Sequence, residues 1–289
     1  MMIIRYCVFA LFMGLSGIGA EPSTEQKPLV LVSVPPQAYF VRAIAGDSVE
    51  VRSVVPADVS PETYEPKPSQ ARAFMQAAVF FGVGMSYEAS LQARLASTNR
   101  ALLYVDLAHI VLDHDRHDEH THTKVDSSTH AHDPHIWLSL KLAKPKAQAM
   151  YERLCAINPA YKDSYAKNLA ALFARIDRIQ RDLGAILKEQ KGRAFLVIHP
   201  AFGYLAQEFG LEEIALEEDG KEIKLKALNR LPKIVEQKRI RTLFIQPQFD
   251  KERAESIAKT LGLNVEILDS LNENWEESLY AFAHKIKEQ

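Results

Sequence analysis

Seven of the ten histidines stand within 23 residues in the middle of the chain, between Asp113 and His135, and they are the residues best suited to chemistry. The residues between them are almost all Asp, Glu, Thr or Ser, so this segment cannot be buried in an apolar core. Imidazole binds late first-row metal ions at neutral pH. We therefore predict a metal-capturing loop over residues 113–132. Its auxiliary ligands are His114, His117, His120, His122, His130 and His132. The alternative is a charged surface insertion in which the histidines have no role.

Four more residues are candidate metal ligands because of where they stand along the chain. Ligand sites in open α/β sheets lie beyond the carboxyl ends of the strands. The candidates are Glu62, in the loop after a predicted strand over 49–55; His135, where apolar sequence resumes; His199, after a predicted strand over 194–198; and Asp269, after a predicted strand over 265–268. Two neutral imidazoles and two carboxylates would neutralise a divalent cation.

Each candidate also has a simpler explanation. A His before a Pro, as at His199, is often part of a structural turn. Asp269 can cap a helix N-terminus, and Glu62 or Glu65 can be a solvated turn residue. Their shared position at strand ends favours the metal site.

The elements that must position these residues follow a repeated βα pattern, which predicts two α/β lobes with parallel sheets. The first lobe covers 27–157 and the second 192–289. Predicted strands of the first lobe are 29–34, 49–55, 78–83 and 102–105, with helices at 39–45 and 68–76. The pattern restarts with strands at 194–198, 242–245 and 265–268, and helices at 202–209, 251–261 and 273–286.

One long amphipathic helix is predicted between the lobes, within 158–191. Apolar residues recur every three or four positions from Pro159 to Gln190, and Gly192 follows where the helix can end. About 30 residues at a rise of 1.5 Å would span about 45 Å, enough to run along two lobes. A core helix of a single large domain is the alternative. We expect an interlobe helix with the metal site in the cleft.

The first 20 residues are typical of a secretory signal peptide, with Arg5, an apolar run and small residues ending at Ala20. We expect export to the periplasm as a soluble protein without direct membrane insertion. Cys7 would leave with the signal, so the single remaining Cys155 could form no internal disulfide. A net charge of −2 and a pI near 6.6 argue against a nucleic-acid partner.

Five motifs in this order resemble the zinc/manganese solute-binding proteins of metal ABC importers (cluster A-I), most closely the periplasmic zinc-binding branch. They are SPETYEPKPS (60–69), the His-rich insert, DPHIWL (133–138), HPAFGY (199–204) and IQPQF (245–249). The resemblance covers nearly the whole chain after the signal. It implies two βα lobes joined by a single long helix, with the metal between them.

The resemblance also implies a ligand set. His135 matches the ligand of the Asp-Pro-His-x-Trp motif, and His199 matches a ligand that is commonly His in zinc members and Glu in manganese members. Asp269 matches the carboxylate that closes the site. The usual His of the first motif is Glu62 here, which makes the set more tolerant of Mn²⁺ or Fe²⁺.

The implied function is capture of Zn²⁺ in the periplasm and its delivery to a membrane permease, by a protein expected to be monomeric and not an enzyme. Binding of Mn²⁺ or Fe²⁺ within the same family is one alternative. A zinc hydrolase is another, although no His-Glu-x-x-His or Gly-x-Ser-x-Gly motif is present. A metal buffer that meets no transporter is a third.

Overall fold

The computed structural model describes residues 27–109, 133–218, 221–222 and 230–289. The predicted signal peptide and the His-rich loop lie outside these residues, so what the sequence predicts about them stays a prediction. In the part of the chain that is described, no helix is long and apolar enough to cross a membrane.

The first lobe is built on a parallel sheet of four strands in the order β2-β1-β3-β4. The strands are β1 (Leu29–Val32), β2 (Glu50–Ser53), β3 (Ala77–Gly82) and β4 (Leu103–Asp106). The helices are α1 (Pro35–Ala45), α2 (Ala71–Gln76) and α3 (Ser86–Thr98). Every residue of β1 is buried, because its sequence LVLV is apolar on both faces, as a central strand of a covered parallel sheet requires.

Two helices follow, α4 (Ala143–Ile157) and α5 (Lys162–Ile186), and α5 lies against helices of both lobes. Its buried residues alternate by four and three positions, which places them on one face. They are Tyr165, Leu169, Leu172, Ile176, Ile179 and Leu183. The predicted helix over 159–190 is α-helical only over α5, and single 3-10 turns, Pro159–Tyr161 and Lys188–Gln190, extend it at both ends.

The second lobe repeats the architecture of the first. Its strands are β5 (Ala194–Val197), β6 (Glu212–Ala215), β9 (Thr242–Ile245) and β10 (Asn264–Ile267), with a two-stranded hairpin, β7 (Glu217–Glu218) and β8 (Lys221–Glu222), after β6. Its helices are α6 (Gly203–Phe209), α7 (Leu231–Lys238), α8 (Lys251–Leu261) and α9 (Trp275–Glu288). The parallel sheet has the order β10-β9-β5-β6.

In both lobes the second strand lies on one side of the first strand, and the third and fourth lie on the other side. The predicted fold of two parallel-sheet lobes is therefore confirmed. Because later strands lie on both sides of the first strand, each sheet has a topological switch point. A crevice forms at such a point, at the carboxyl end of the sheet.

A polar and aromatic contact ties the two lobes to α5. Glu276 of α9 accepts hydrogen bonds from the Tyr39 hydroxyl of α1 at 3.1 Å and from Arg178 of α5 at 2.8 Å. Beside it, the ring of buried Trp275 lies 4.8 Å from that of Phe40, centroid to centroid. The two lobes and the interlobe helix thus share one packed core, which includes residues of α1, α5 and α9.

Candidate metal centre

Three of the four predicted ligands meet in the crevice. One ligand atom each of Glu62, His135 and His199 lies within 4.8 Å of the others, and this is the only such group of three or more His, Cys, Asp or Glu residues in the described ranges. The two Nε2 atoms are 3.3 Å apart. Glu62 Oε1 lies 3.4 Å from His199 Nε2 and 3.9 Å from His135 Nε2.

These separations fit a first-row metal ion. The point in the plane of the two Nε2 atoms and Glu62 Oε1 that is equidistant from all three lies about 2.1 Å from each of them, and zinc binds imidazole nitrogen and carboxylate oxygen at about 2.0–2.2 Å. The donor set, two imidazoles and one carboxylate, suits a divalent cation of this series.

Each imidazole has a carboxylate beside its Nδ1 atom, on the side of the ring away from the site. His135 Nδ1 lies 2.7 Å from Asp133 Oδ1, and His199 Nδ1 lies 3.3 Å from Glu217 Oε2. In a neutral ring whose Nδ1 proton is accepted by this carboxylate, the lone pair is on Nε2, the atom that faces the site. A carboxylate behind a ligating imidazole fixes its tautomer and orientation and raises its basicity.

His199 is positioned by the carboxyl end of the second sheet. It stands two residues after β5, and its backbone carbonyl accepts a hydrogen bond from buried Gln246 at 2.7 Å. The ring of Phe249 stacks on the imidazole at 5.1 Å and 22°. Glu213 accepts the backbone N–H groups of residues 201 and 202, and burial raises the pKa of this carboxyl to about 7.

His135 belongs to a segment that is bonded mainly to the second lobe. Its backbone N–H donates to Asp133 Oδ1 at 2.9 Å, which closes a turn before the 3-10 helix Ile136–Leu138. Trp137 Nε1 donates to the Ser270 carbonyl at 2.8 Å, and Trp275 Nε1 donates to the Trp137 carbonyl at 2.6 Å. His135 and His199 are therefore both fixed to the second lobe.

A buried lysine and a half-buried glutamate complete the support of that segment. Lys146 donates to the Ile136 carbonyl, and burial lowers the pKa of this lysine to about 7. Glu208 of α6 accepts from the Ser139 hydroxyl at 2.5 Å and from the backbone N–H of Leu140 at 3.1 Å. These bonds satisfy polar groups that would be costly to bury unpaired.

Glu62 reaches the site from the first lobe, on the loop after β2. The loop is anchored on one side by Tyr64, whose ring packs on Tyr87 at 5.5 Å and whose hydroxyl donates to Gln70 at 2.5 Å. The side chain of Glu62 is 25% exposed, whereas those of His135 and His199 are 4% and 6% exposed. Glu62 also lines a cavity of about 450 Å³. The solvent side of the site is thus the Glu62 side.

Charges within the triad are coupled. Burial is the largest single influence on Glu62 and favours its neutral form, but the hydrogen bond and charge of His199 and the charge of His135 outweigh it and lower the pKa. Burial likewise favours neutral His199, but Glu62 and then Glu217 outweigh it and raise the pKa. When His199 is protonated, its proton pairs with ionised Glu62, and a metal ion has to displace that proton.

The fourth predicted ligand, Asp269, lies outside the group of three. Its carboxylate accepts the backbone N–H of Leu271 at 2.9 Å and a hydrogen bond from Gln248. Burial raises its pKa against these two bonds. The side chain is thus engaged in a turn and does not cap a helix, because the N-cap of α9 is Asn274.

The sequence reasoning did not single out Asp133 and Glu217. Asp133 stands two residues before His135 in the Asp-Pro-His motif, and this spacing is the signal that could have found it. Glu217 starts β7, eighteen residues after His199, and no motif links the two.

Comparison with known proteins gives consistent results. A sequence model of a family described as zinc-uptake complex component A, periplasmic, matches residues 30–287. A crystal structure of ZnuA is similar at a TM-score of 0.79 and 33% identity, over 91% of this chain and 99% of that chain. A zinc-bound crystal structure of a ZnuA deletion mutant has the same TM-score and identity, over 91% and 97%.

Two further relatives agree with these matches. The high-affinity zinc uptake system protein ZnuA of Yersinia pestis is 28% identical over 275 residues, which are 87% of this chain and 86% of the relative. The periplasmic zinc-binding protein TroA from Treponema pallidum, at 18% identity and a TM-score of 0.77, covers 91% of this chain and 98% of its own and shares the fold.

Proposed function

The chain belongs to the family of zinc-uptake complex component A, and on that premise we propose that it is the solute-binding protein of a metal ABC importer. It captures Zn²⁺ in the periplasm between its two lobes and delivers the ion to a membrane permease. It acts as a monomer and catalyses no reaction. The relatives named for zinc uptake and zinc binding support this role.

One observation carries the proposal. Two buried imidazoles turn their Nε2 lone pairs toward Glu62 while carboxylates hold both Nδ1 atoms. A histidine that is buried for structural reasons does not require a carboxylate at Nδ1 together with an Nε2 atom that faces other ligands, whereas a histidine that binds a metal does. We propose Glu62, His135 and His199 as ligands of Zn²⁺, with Asp269 or a water molecule as the fourth.

The donor set also bears on the choice of metal. Two imidazoles favour Zn²⁺ over Mn²⁺, whereas a carboxylate in place of a third imidazole reduces that preference. We propose Zn²⁺ as the transported ion and Mn²⁺ as a weaker competitor for the same site.

Two imidazoles and one glutamate are also found in catalytic zinc sites, where a water takes the open position and a carboxylate activates it. The carboxylates of Asp133 and Glu217 lie on the Nδ1 side of the rings, away from that position. Asp269 is engaged with Leu271 and Gln248. This placement favours binding and release over hydrolysis.

The test is a measurement of metal content and affinity on the purified protein with its signal removed. We expect one tightly bound Zn²⁺ in the cleft, measured by elemental analysis and by competition with a chelator. The tight site should be lost in His199→Ala and kept in His284→Ala, because His284 is exposed on α9. A protein that binds no Zn²⁺ tightly, or a tight site that survives His199→Ala, contradicts the proposal.

A further inference from the structure

Gln248 connects the two lobes beside the metal centre. Its side-chain Nε2 donates to the Ala57 carbonyl at 2.5 Å, a contact between residues 191 positions apart in sequence. Ala57 lies five residues before Glu62, on the same loop of the first lobe. The side chain of Gln248 is also hydrogen bonded to the carboxylate of Asp269, in the second lobe. A primary amide has two N–H groups and can serve both acceptors at once.

The turn that carries Gln248 also supports His199. Gln246 donates to the His199 carbonyl at 2.7 Å, and Phe249 stacks on its ring at 5.1 Å. The backbone N–H of Phe249 closes the turn by donating to the Gln246 carbonyl at 3.1 Å. One short turn thus holds a ligand of the second lobe and reaches across the cleft to the loop of the ligand from the first lobe.

The loop that carries Glu62 has two anchors, one after this ligand in sequence and one before it. Tyr64 fixes the loop to the first lobe through Tyr87 and Gln70. Gln248 fixes it to the second lobe through Ala57. Because both histidines are bonded mainly to the second lobe, a movement of the Glu62 loop away from them has to break the bond from Gln248 to Ala57.

We propose that Gln248 is a positioning residue that sets how long the metal stays bound, by holding the Glu62 loop across the cleft. The inference rests on the proposed function. Gln248 is bonded to none of Glu62, His135 and His199; its effect passes through Ala57 to the backbone that carries Glu62. Since the contact has to break on release, its loss should change the dissociation rate constant far more than the association rate constant.

Two substitutions of similar size separate the hydrogen bond from other roles. Gln248→Glu keeps the shape but loses both N–H donors, and Gln248→Met keeps the length without any polar group. Each should raise the rate of Zn²⁺ dissociation about three- to tenfold, the effect of losing one hydrogen bond. The association rate constant should stay within about twofold. Gln148→Glu, at a half-buried position of α4 where the amide donates to Glu152, is the matched control and should leave both rates unchanged.

The rates are measured by stopped-flow mixing of the zinc-loaded protein with a fluorescent chelator and of the metal-free protein with Zn²⁺, and thermal melting checks that each variant is folded. A wild-type protein that binds no Zn²⁺ overturns the proposed function and the role of Gln248 with it. A wild type that binds while Gln248→Met releases Zn²⁺ at the wild-type rate overturns the role of Gln248 alone. If the rate of Zn²⁺ dissociation rises in Gln248→Glu but not in Gln248→Met, the effect comes from the new charge, and this result also overturns the role of Gln248.

Discussion

The Nε2 atoms of His135 and His199 lie 3.3 Å apart, although 64 residues separate the two histidines in sequence. Asp133 lies beside the Nδ1 atom of one ring and Glu217 beside that of the other, so the two Nε2 atoms face the same space. One cation placed there can take both rings as ligands. Much of the organisation that metal binding requires is present before the metal arrives.

The carboxylates behind the rings should contribute to affinity without touching the metal. Asp133→Asn and Glu217→Gln remove the charge that orients and polarises each imidazole, and each should weaken Zn²⁺ binding about 10- to 100-fold. Chelator competition measures the change. Asp177→Asn, whose native carboxylate pairs with Lys144 on the surface at 2.6 Å, is the control and should bind as the wild type does. Wild-type affinity in both test variants would mean that the imidazoles need no such support.

Glu62 should decide the preference between metals. Glu62→His creates a set of three imidazoles and should raise the ratio of Zn²⁺ to Mn²⁺ affinity, because imidazole suits zinc and carboxylate suits the harder ion. Glu62→Ala should weaken binding less than His199→Ala, because a water can replace a ligand on the solvent side. Titration with both metals tests this. If Glu62→Ala changes neither affinity nor preference, Glu62 is not a ligand.

The fold could be predicted where strands are continuous apolar runs. The runs LVLV, AFLV and TLFI are apolar on both faces and have to be buried, and they form the central strands β1, β5 and β9. Edge strand β6 was missed because its sequence EEIA is half charged and only partly buried. Helix α1 begins at Pro35, four residues before its predicted start, because proline fits the first turn of a helix and does not break it.

The ends of predicted strands located the backbone of the candidate site residues, but they did not predict the direction of each side chain. His199 follows β5, and in the described part of the chain the partners of its Nε2 atom are the other two members of the group. Asp269 follows β10 just as regularly, but its short side chain reaches the N–H of Leu271 two residues on. Position along a strand locates a residue, whereas local hydrogen bonds decide where a carboxylate turns.

The His-rich loop should add weak metal sites to the tight one. Its six histidines are spare relative to the group in the cleft, and their segment is charged and polar. Deleting residues 113–131, which takes out five of the six, should therefore remove the weak binding and leave one tight site, as measured by calorimetric titration with Zn²⁺. Loss of the tight site in the deletion variant would show that the loop, and not the cleft, holds the ion.

Zinc affinity should fall as the pH falls, and it should do so at a higher pH than an ordinary histidine would give. The pKa of His199 is raised, so its proton competes with the metal below that raised value and no longer competes above it. Where one proton is displaced, the affinity falls about tenfold per pH unit. Glu62→Gln removes the charge that raises the pKa and should move the fall to lower pH. Competition titrations across neutral and mildly acidic pH measure both curves, and identical curves would contradict this assignment.

The interlobe helix should restrict closure of the lobes when the metal binds. Helix α5 has no proline, and Gly184 is its only glycine, so it offers no flexible hinge between the lobes. Glu276 adds a direct restraint, because it binds Tyr39 of the first lobe and Arg178 of α5 from the second lobe. Small-angle scattering profiles of the protein with and without Zn²⁺ should therefore superimpose. Glu276→Ala removes the restraint, and any metal-dependent compaction should occur in this variant more than in the wild type. A marked compaction of the wild type would show that the lobes close as bodies, and that the Glu62 loop is not the main moving part.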